Sequence, residues 1–207
     1  MDELTAISKN KLYSVNIDYF SDNNFFKDIN KSKKIIRHIL FICKKLNIKI
    51  IIIPCIEKNL LNKKKMINLI NYLKKILTQR SPKISIEINN LEPKIKKYLN
   101  QKVGICFDTG NVLTESKHSL KNIFEFKDQI NHFHIKDKKK INKRYVNCSL
   151  GEGIVDFKSF FFILELIKYK GAITFETSFG NNSIKNAKNN LKFIKKVIFN
   201  NKLFKYK

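Results

Sequence analysis

The sequence predicts an α/β fold in which about six parallel strands, with outer helices, form part of a barrel. Short apolar strands alternate with longer amphipathic segments, which is the pattern of repeated βα units. Four polar residues stand at the C-terminal ends of four predicted strands, where parallel-barrel enzymes place their chemistry. No linker rich in Gly, Pro or Ser divides the 207 residues, so a single domain over 1–207 is expected.

Each predicted element has its own local signal. Apolar runs predict six strands, at 12–17, 49–53, 83–88, 103–108, 130–135 and 171–176. Apolar residues that recur three and four positions apart predict helices within 35–46, 66–77, 157–167 and 184–198. The lysine-rich stretch 136–144 indicates a long surface loop.

The net charge of +25 does not by itself indicate a nucleic-acid partner. Lysines are spread along the polar faces of the predicted helices rather than gathered into one stripe, and Arg37, Arg80 and Arg144 are the only arginines. No aromatic and basic stacking motif of an RNA-binding sheet is present. We therefore expect solvated helix faces and no nucleic-acid partner, although the charge suits the capture of anionic substrates.

Cellular location is indicated by what the sequence lacks. No apolar run approaches the 18 residues that span a membrane, and the first residues have no secretory signal pattern. The four cysteines show no CxxC pairing, so neither a zinc ribbon nor a redox dithiol is indicated. Reduced thiols in the cytoplasm, with no membrane partner, are the expectation.

The strand ends supply four candidate metal ligands: Glu87 in KISIE, Asp108 in VGICFD, His134 in INHFH and Glu176 in AITFE. Residues two apart in a strand share a face, and the positions below these four are small or polar. They are Ser85, Cys106, Gly104, Thr174, Ala172 and His132. The opposite faces carry Ile and Phe side chains suited to packing against helices. Convergence of the four strand ends predicts a site of three carboxylates and one histidine.

Several motifs together carry a family resemblance: SVNIDYF (14–20), ISIE (84–87), VGICFDTGN (103–111), HFHIKD (132–137), LGEGIVDF (150–157) and ITFET (173–177). From about residue 13 to 197 the chain resembles the xylose-isomerase-like TIM-barrel superfamily. Within it, the chain is similar to sugar-phosphate isomerases and epimerases such as L-ribulose-5-phosphate 3-epimerase. The resemblance implies a partial (β/α)8 TIM barrel whose first two βα units are missing, with residues 1–8 ending the helix before the family's third strand. The open strand edges would allow a homo-oligomer.

The resemblance also implies a function, a divalent-metal-dependent isomerase or epimerase of a ketose or phosphoketose. Glu87, Asp108, His134 and Glu176 would hold the metal, and an oxygen-rich site with one imidazole suits Mn²⁺, with Mg²⁺ or Co²⁺ as alternatives. The metal would stabilise an enediolate while Glu87 and Glu176 move protons on opposite faces of the sugar. The expected partner is a small-molecule sugar or sugar phosphate.

Further residues are assigned to the substrate: Asn111, Lys136, Lys140 and Glu152. Asn111 stands where many relatives have a histidine, and the arginine that some relatives carry after the HIKD motif is not evident. Simpler interpretations remain open at this point. Asp108 before Thr109 and Gly110 is also a typical helix cap, the two glutamates are also compatible with solvated strand ends, and His132 competes with His134 as the ligand.

Two other classes of function remain as alternatives. One is a non-catalytic barrel remnant that binds sugar or a partner without turnover. The other is a nuclease, because the endonuclease IV branch shares this barrel. That branch, however, uses several metals and many histidines, whereas this chain has four histidines.

Overall fold

A computed structural model of the protein describes residues 12–115, 119–177 and 182–200. The strands in this part of the chain are β1 (Ser14–Asn16), β2 (Ile50–Pro54), β3 (Lys83–Glu87), β4 (Val103–Asp108), β5 (Ile130–Ile135), β6 (Asp137–Ile141), β7 (Arg144–Cys148) and β8 (Ile173–Phe175). The α-helices are α1 (Tyr19–Asp22), α2 (Ile29–Lys45), α3 (Lys63–Ile76), α4 (Thr109–Glu115), α5 (Ser119–Glu125), α6 (Phe157–Leu166) and α7 (Ser183–Asn200). Two 3-10 helices lie at Glu57–Asn59 and Pro93–Tyr98. The helix end expected at 1–8 lies outside the described residues.

Six of the described strands form one sheet in the order β1-β2-β3-β4-β5-β8. Strand β2 pairs in parallel with β1 and β3, and β3 pairs in parallel with β4, with Ser14 opposite Ile50, Ile50 opposite Lys83, and Ile84 opposite Val103. This order and direction confirm the α/β class and the partial parallel barrel of six strands with outer helices. None of the helices in the described part of the chain is long and apolar enough to cross a membrane.

The chain divides into two compact units, Met1–Cys106 with Asp128–His132, and Phe107–Lys127 with Phe133–Lys207. In the first unit every residue of β2 is buried, as its unbroken apolar sequence IIIIP predicts. Helices α2 and α3 begin at caps whose side chains accept a backbone hydrogen bond, Asp28 from Lys31 and Asn62 from Lys65. That residues 1–207 form a single domain stays a prediction.

The second unit has an aromatic core around Phe133 of β5. The Phe133 ring meets those of Phe160 and Tyr169 edge to face, with centroids 5.4 and 4.8 Å away. Phe133 also pairs with Ile173 across β5 and β8, which run parallel. This packing fixes the strand that carries His134.

The predicted surface loop at 136–144 is wrong, because residues 137–148 form a β-hairpin. Strands β6 and β7 pair antiparallel, with Asp137 opposite Cys148 and Ile141 opposite Arg144. The connecting residues Asn142 and Lys143 both have positive φ, 46° and 65°. Two left-handed residues make the turn whose twist suits a tight hairpin, and asparagine tolerates that conformation.

Asp137 fastens this hairpin to the loop that follows it. Its side chain is buried, and its two carboxylate oxygens accept backbone hydrogen bonds from four residues at 2.9–3.1 Å: Lys138, Gly151, Gly153 and Val155. A Cβ at Gly153 would lie 2.2 Å from Asp137 Oδ1, so the loop approaches the carboxylate only with glycine there. Hydrogen bonds to the buried Asp137 carboxylate therefore fix the backbone conformation of the GEG sequence at 151–153.

We expect the substitution Asp137→Asn to lower the free energy of unfolding by about 3 kcal/mol, because an amide nitrogen cannot accept and leaves buried N–H groups without a partner. Urea unfolding followed by circular dichroism measures the change. The control is Asp22→Asn, since Asp22 pairs with Lys58 where both side chains are exposed, and a loss below about 0.5 kcal/mol is expected there. Equal losses in the two variants would contradict this account of Asp137.

Candidate metal centre

Four side chains at the C-terminal ends of the strands come together as a cluster. Glu87, Asp108, His134 and Glu176 each offer one ligand atom, and these atoms all lie within 4.8 Å of one another. Glu87 and Asp108 end β3 and β4, His134 is the second last residue of β5, and Glu176 directly follows β8. Glu87, Asp108 and His134 are buried, whereas 39% of the Glu176 side chain is exposed. The cluster is thus reachable from solvent at Glu176.

Asp108 uses its two oxygens for different purposes. Oδ1 accepts a hydrogen bond of 2.7 Å from the backbone N–H of Asn111, in the manner of a helix cap. Oδ2 lies 3.2 Å from the Lys136 ammonium. The helix-cap interpretation of Asp108 is therefore confirmed, and the same side chain lies in the cluster, where its role as a metal ligand stays a prediction.

Lys136 is buried with its ammonium between two carboxylates of the cluster. Its Nζ lies 2.8 Å from Glu176 Oε1 and 3.2 Å from Asp108 Oδ2, and only 8% of its side chain is exposed. The Thr109 hydroxyl accepts a hydrogen bond from the Lys136 N–H and donates one to the Lys136 carbonyl, at 2.9 and 2.7 Å. The residue after β5 is thereby held against the start of α4.

His134 is in the cluster and His132 is not. His134 Nδ1 lies 2.6 Å from Glu176 Oε2. His132 is fully buried and its ring stacks against that of Tyr13, with centroids 6.4 Å apart and an interplanar angle of 21°. The two histidines share a strand face, and the position nearer the strand end is the one beside the carboxylates.

The environment moves the two carboxyl pKa values in opposite directions. For Glu176, partial burial raises the pKa, but hydrogen bonding to His134 and the ammonium of Lys136 outweigh it and lower the pKa to about 2. For Asp108, burial is the largest effect and raises the pKa, while Lys136 acts against it. The balance at Asp108 depends on a nearby cation.

The residues assigned to the substrate lie in different surroundings. Asn111 is buried in α4, Lys140 is exposed on β6, and the exposed Glu152 side chain approaches Lys139 at 3.8 Å. Lys136 contacts the carboxylates as described above. Their roles toward a substrate stay predictions.

The ion pairs of Lys136 and the hydrogen bonds of its backbone to Thr109 were not predicted from the sequence. A signal for them exists in the alternation of HFHIKD, where Lys136 shares strand parity with His134 and so continues the face that carries the ligand. The lysine-rich context that follows it concealed this signal, because runs of lysine ordinarily mark solvated surface.

The donor set fits a hard or borderline divalent cation. It consists of three carboxylates and one imidazole, the ligands that suit Mn²⁺, Mg²⁺ or Co²⁺. The four cysteines are free and buried, and burial raises the pKa of Cys43 to about 11 and that of Cys55 further, where the charge of Glu87 adds to the effect. None of the four belongs to the cluster of ligand atoms.

Comparison with known proteins gives the family. A family model described as xylose isomerase-like TIM barrel matches residues 6–197, and the chain belongs to this family. No curated protein sequence matches the chain.

Solved structures of the same fold include several sugar epimerases. The IOLI protein, solved with a bound zinc atom, has a TM-score of 0.73 at 17% identity over 95% of this chain and 80% of its own. A D-tagatose 3-epimerase-like protein has a TM-score of 0.73 at 17% identity over 96% and 83%. The 3-keto-D-glucoside 4-epimerase YcjR from E. coli has a TM-score of 0.71 at 18% identity over 93% and 82%. At these identities the likeness shows the fold.

The lowered pKa of Glu176 predicts an acid-dependent contribution to stability. A carboxyl whose folded pKa lies near 2 and whose ordinary value is 4.5 stabilises the fold above about pH 4.5 and loses this effect as the pH falls toward 2. We expect the stability advantage of the wild type over Glu176→Gln to be full at pH 6 and to shrink between pH 5 and pH 3. Urea midpoints in EDTA at these pH values measure it, and a constant difference would contradict the assignment.

Proposed function

We propose that the protein is a divalent-metal-dependent isomerase or epimerase of a ketose or phosphoketose. The observation that carries the proposal is the meeting of four ligand atoms within 4.8 Å in a chain of the xylose isomerase-like family. The epimerases among the solved structures of this fold support a sugar as the substrate class. We further propose that it works in the cytoplasm, where free thiols persist.

Glu87, Asp108, His134 and Glu176 would hold the cation, with Mn²⁺ as the proposed metal. A divalent ion supplies Lewis acidity, which polarises a sugar carbonyl and makes the hydrogen on the neighbouring carbon more acidic. Asp108 and His134, which are buried as Glu87 is, are assigned mainly to holding the ion. The half-exposed Glu176 is the ligand that a substrate reaches first.

The two glutamates move the protons. One carboxylate takes the hydrogen from the carbon next to the carbonyl as a proton, and the electron pair of that C–H bond becomes the double bond of an enediolate. The other glutamate returns a proton to the same carbon from the opposite face. One proton leaves and one arrives, so the configuration inverts without any oxidant. Asn111, Lys136, Lys140 and Glu152 are the proposed substrate contacts.

The test is proton exchange in D₂O. We expect purified protein with Mn²⁺ to introduce deuterium beside the carbonyl of at least one sugar from a panel of ketoses and their phosphates, detected by NMR and mass spectrometry. Metal binding without any deuterium exchange would contradict the proposed enzymatic activity and favour a non-catalytic barrel remnant that binds sugar. A nuclease has no support from the cluster, in which a single histidine takes part.

Substitution Glu176→Gln removes one of the two proton carriers while it keeps the size of the side chain. We expect the exchange rate on the best substrate to fall at least about a hundredfold, because positioned acid–base groups contribute that much or more. The matched control is Glu92→Gln, since Glu92 is exposed before the 3-10 helix at Pro93–Tyr98 and its loss should leave the rate within about twofold. Similar exchange rates in the wild type and Glu176→Gln would contradict a role of Glu176 in proton transfer.

A further inference from the structure

We propose that Lys136 is an internal counter-ion, whose ammonium holds the carboxylates of Asp108 and Glu176 in the metal-free protein and is displaced when a divalent cation binds. The proposal rests on the metal centre of the proposed function but does not require turnover. Its basis is that the ammonium lies 2.8 Å from one proposed ligand and 3.2 Å from another.

The position of Lys136 is built by its neighbours. Its backbone is held on both sides by the Thr109 hydroxyl, which bonds the Lys136 N–H and carbonyl. Its aliphatic stem passes over Gly110, where a Cβ would lie 2.9 Å from Lys136 Cγ. A glycine at 110 therefore leaves the room that the stem needs to carry the ammonium toward Asp108 and Glu176.

Charge explains why an ammonium belongs at this point. Asp108 is almost fully buried and Glu176 is about two-thirds buried, and carboxylates this close to each other repel unless a cation lies between them. The Lys136 ammonium meets this need before any metal arrives. A divalent ion that binds the same two oxygens needs the same space, so the two cations exclude each other.

The need to displace the Lys136 ammonium lowers the apparent affinity of the protein for a divalent metal. A ligand that binds only the minor, competent state of a protein has its apparent affinity reduced by the fraction in that state. If the ammonium occupies the position in about nine molecules of ten, its removal strengthens Mn²⁺ binding about tenfold. The flexible four-carbon stem of lysine allows the ammonium to leave without moving the backbone.

The first experiment measures Mn²⁺ affinity by calorimetry and the melting temperature of the EDTA-treated protein. For Lys136→Met we expect affinity to rise about tenfold and the metal-free melting temperature to fall by about 5 °C, because two carboxylates lose their counter-ion. Lys136→Gln keeps a neutral hydrogen-bond donor for the case in which the methionine variant does not fold, and the same direction of both changes is expected. The control is Lys139→Met, which removes a charge from a half-exposed site on β6 and should change affinity by less than about twofold.

The second experiment follows the ammonium directly. A lysine-acylating reagent with peptide mass spectrometry should label Lys136 slowly in EDTA and several times faster at saturating Mn²⁺, while labelling of Lys139 stays constant. Unchanged or reduced affinity in both Lys136 variants, or unchanged labelling of Lys136 on Mn²⁺ saturation, would overturn the proposal. If both experiments give the expected results and no sugar undergoes deuterium exchange, the counter-ion role of Lys136 is supported and the proposed epimerase activity is contradicted. If neither the wild type nor the Lys136 variants bind Mn²⁺, the metal centre itself fails.

Discussion

Charge balance at the C-terminal end of the sheet is the constraint on which the site depends. Buried carboxylates are stable only when a cation or several donors stand beside them. Here the cation within the chain is Lys136, and the cations from outside would be divalent metals. Thr109 and Gly110 serve this balance by fixing where the ammonium can reach.

The central strands were predictable because they combine unbroken apolar sequence with polar ends. The predicted bounds of β4 and β5, 103–108 and 130–135, are confirmed residue for residue. The strands at the two ends of the described sheet order, β1 and β8, are three residues long and shorter than predicted. A strand with one neighbour has fewer hydrogen bonds to extend it, and sequence patterns do not report which strands lie at an edge.

The composition of the candidate site was also predictable, from the rule that parallel strands present their C-terminal ends together. The ion pairs of Lys136 with two of these carboxylates were not predicted, because the lysine-rich residues that follow conceal the strand parity that Lys136 shares with His134. The direction of the chain after Ile135 decides that Lys136 turns inward and that residues 137–148 fold back as a hairpin. A tight hairpin turn depends on the conformation of one or two residues, here Asn142 and Lys143 with positive φ. The surrounding run of lysines resembles a surface loop and hides this turn.

The divided use of Asp108 has a consequence for how this site could change over time. An asparagine there would keep an oxygen for the start of α4, so the helix would still form. Its amide nitrogen, however, would face the Lys136 ammonium with a donor instead of an acceptor. A single base change could thus preserve the architecture while it removes one carboxylate from the candidate metal centre, a path by which a duplicated gene would keep the fold and lose the proposed chemistry.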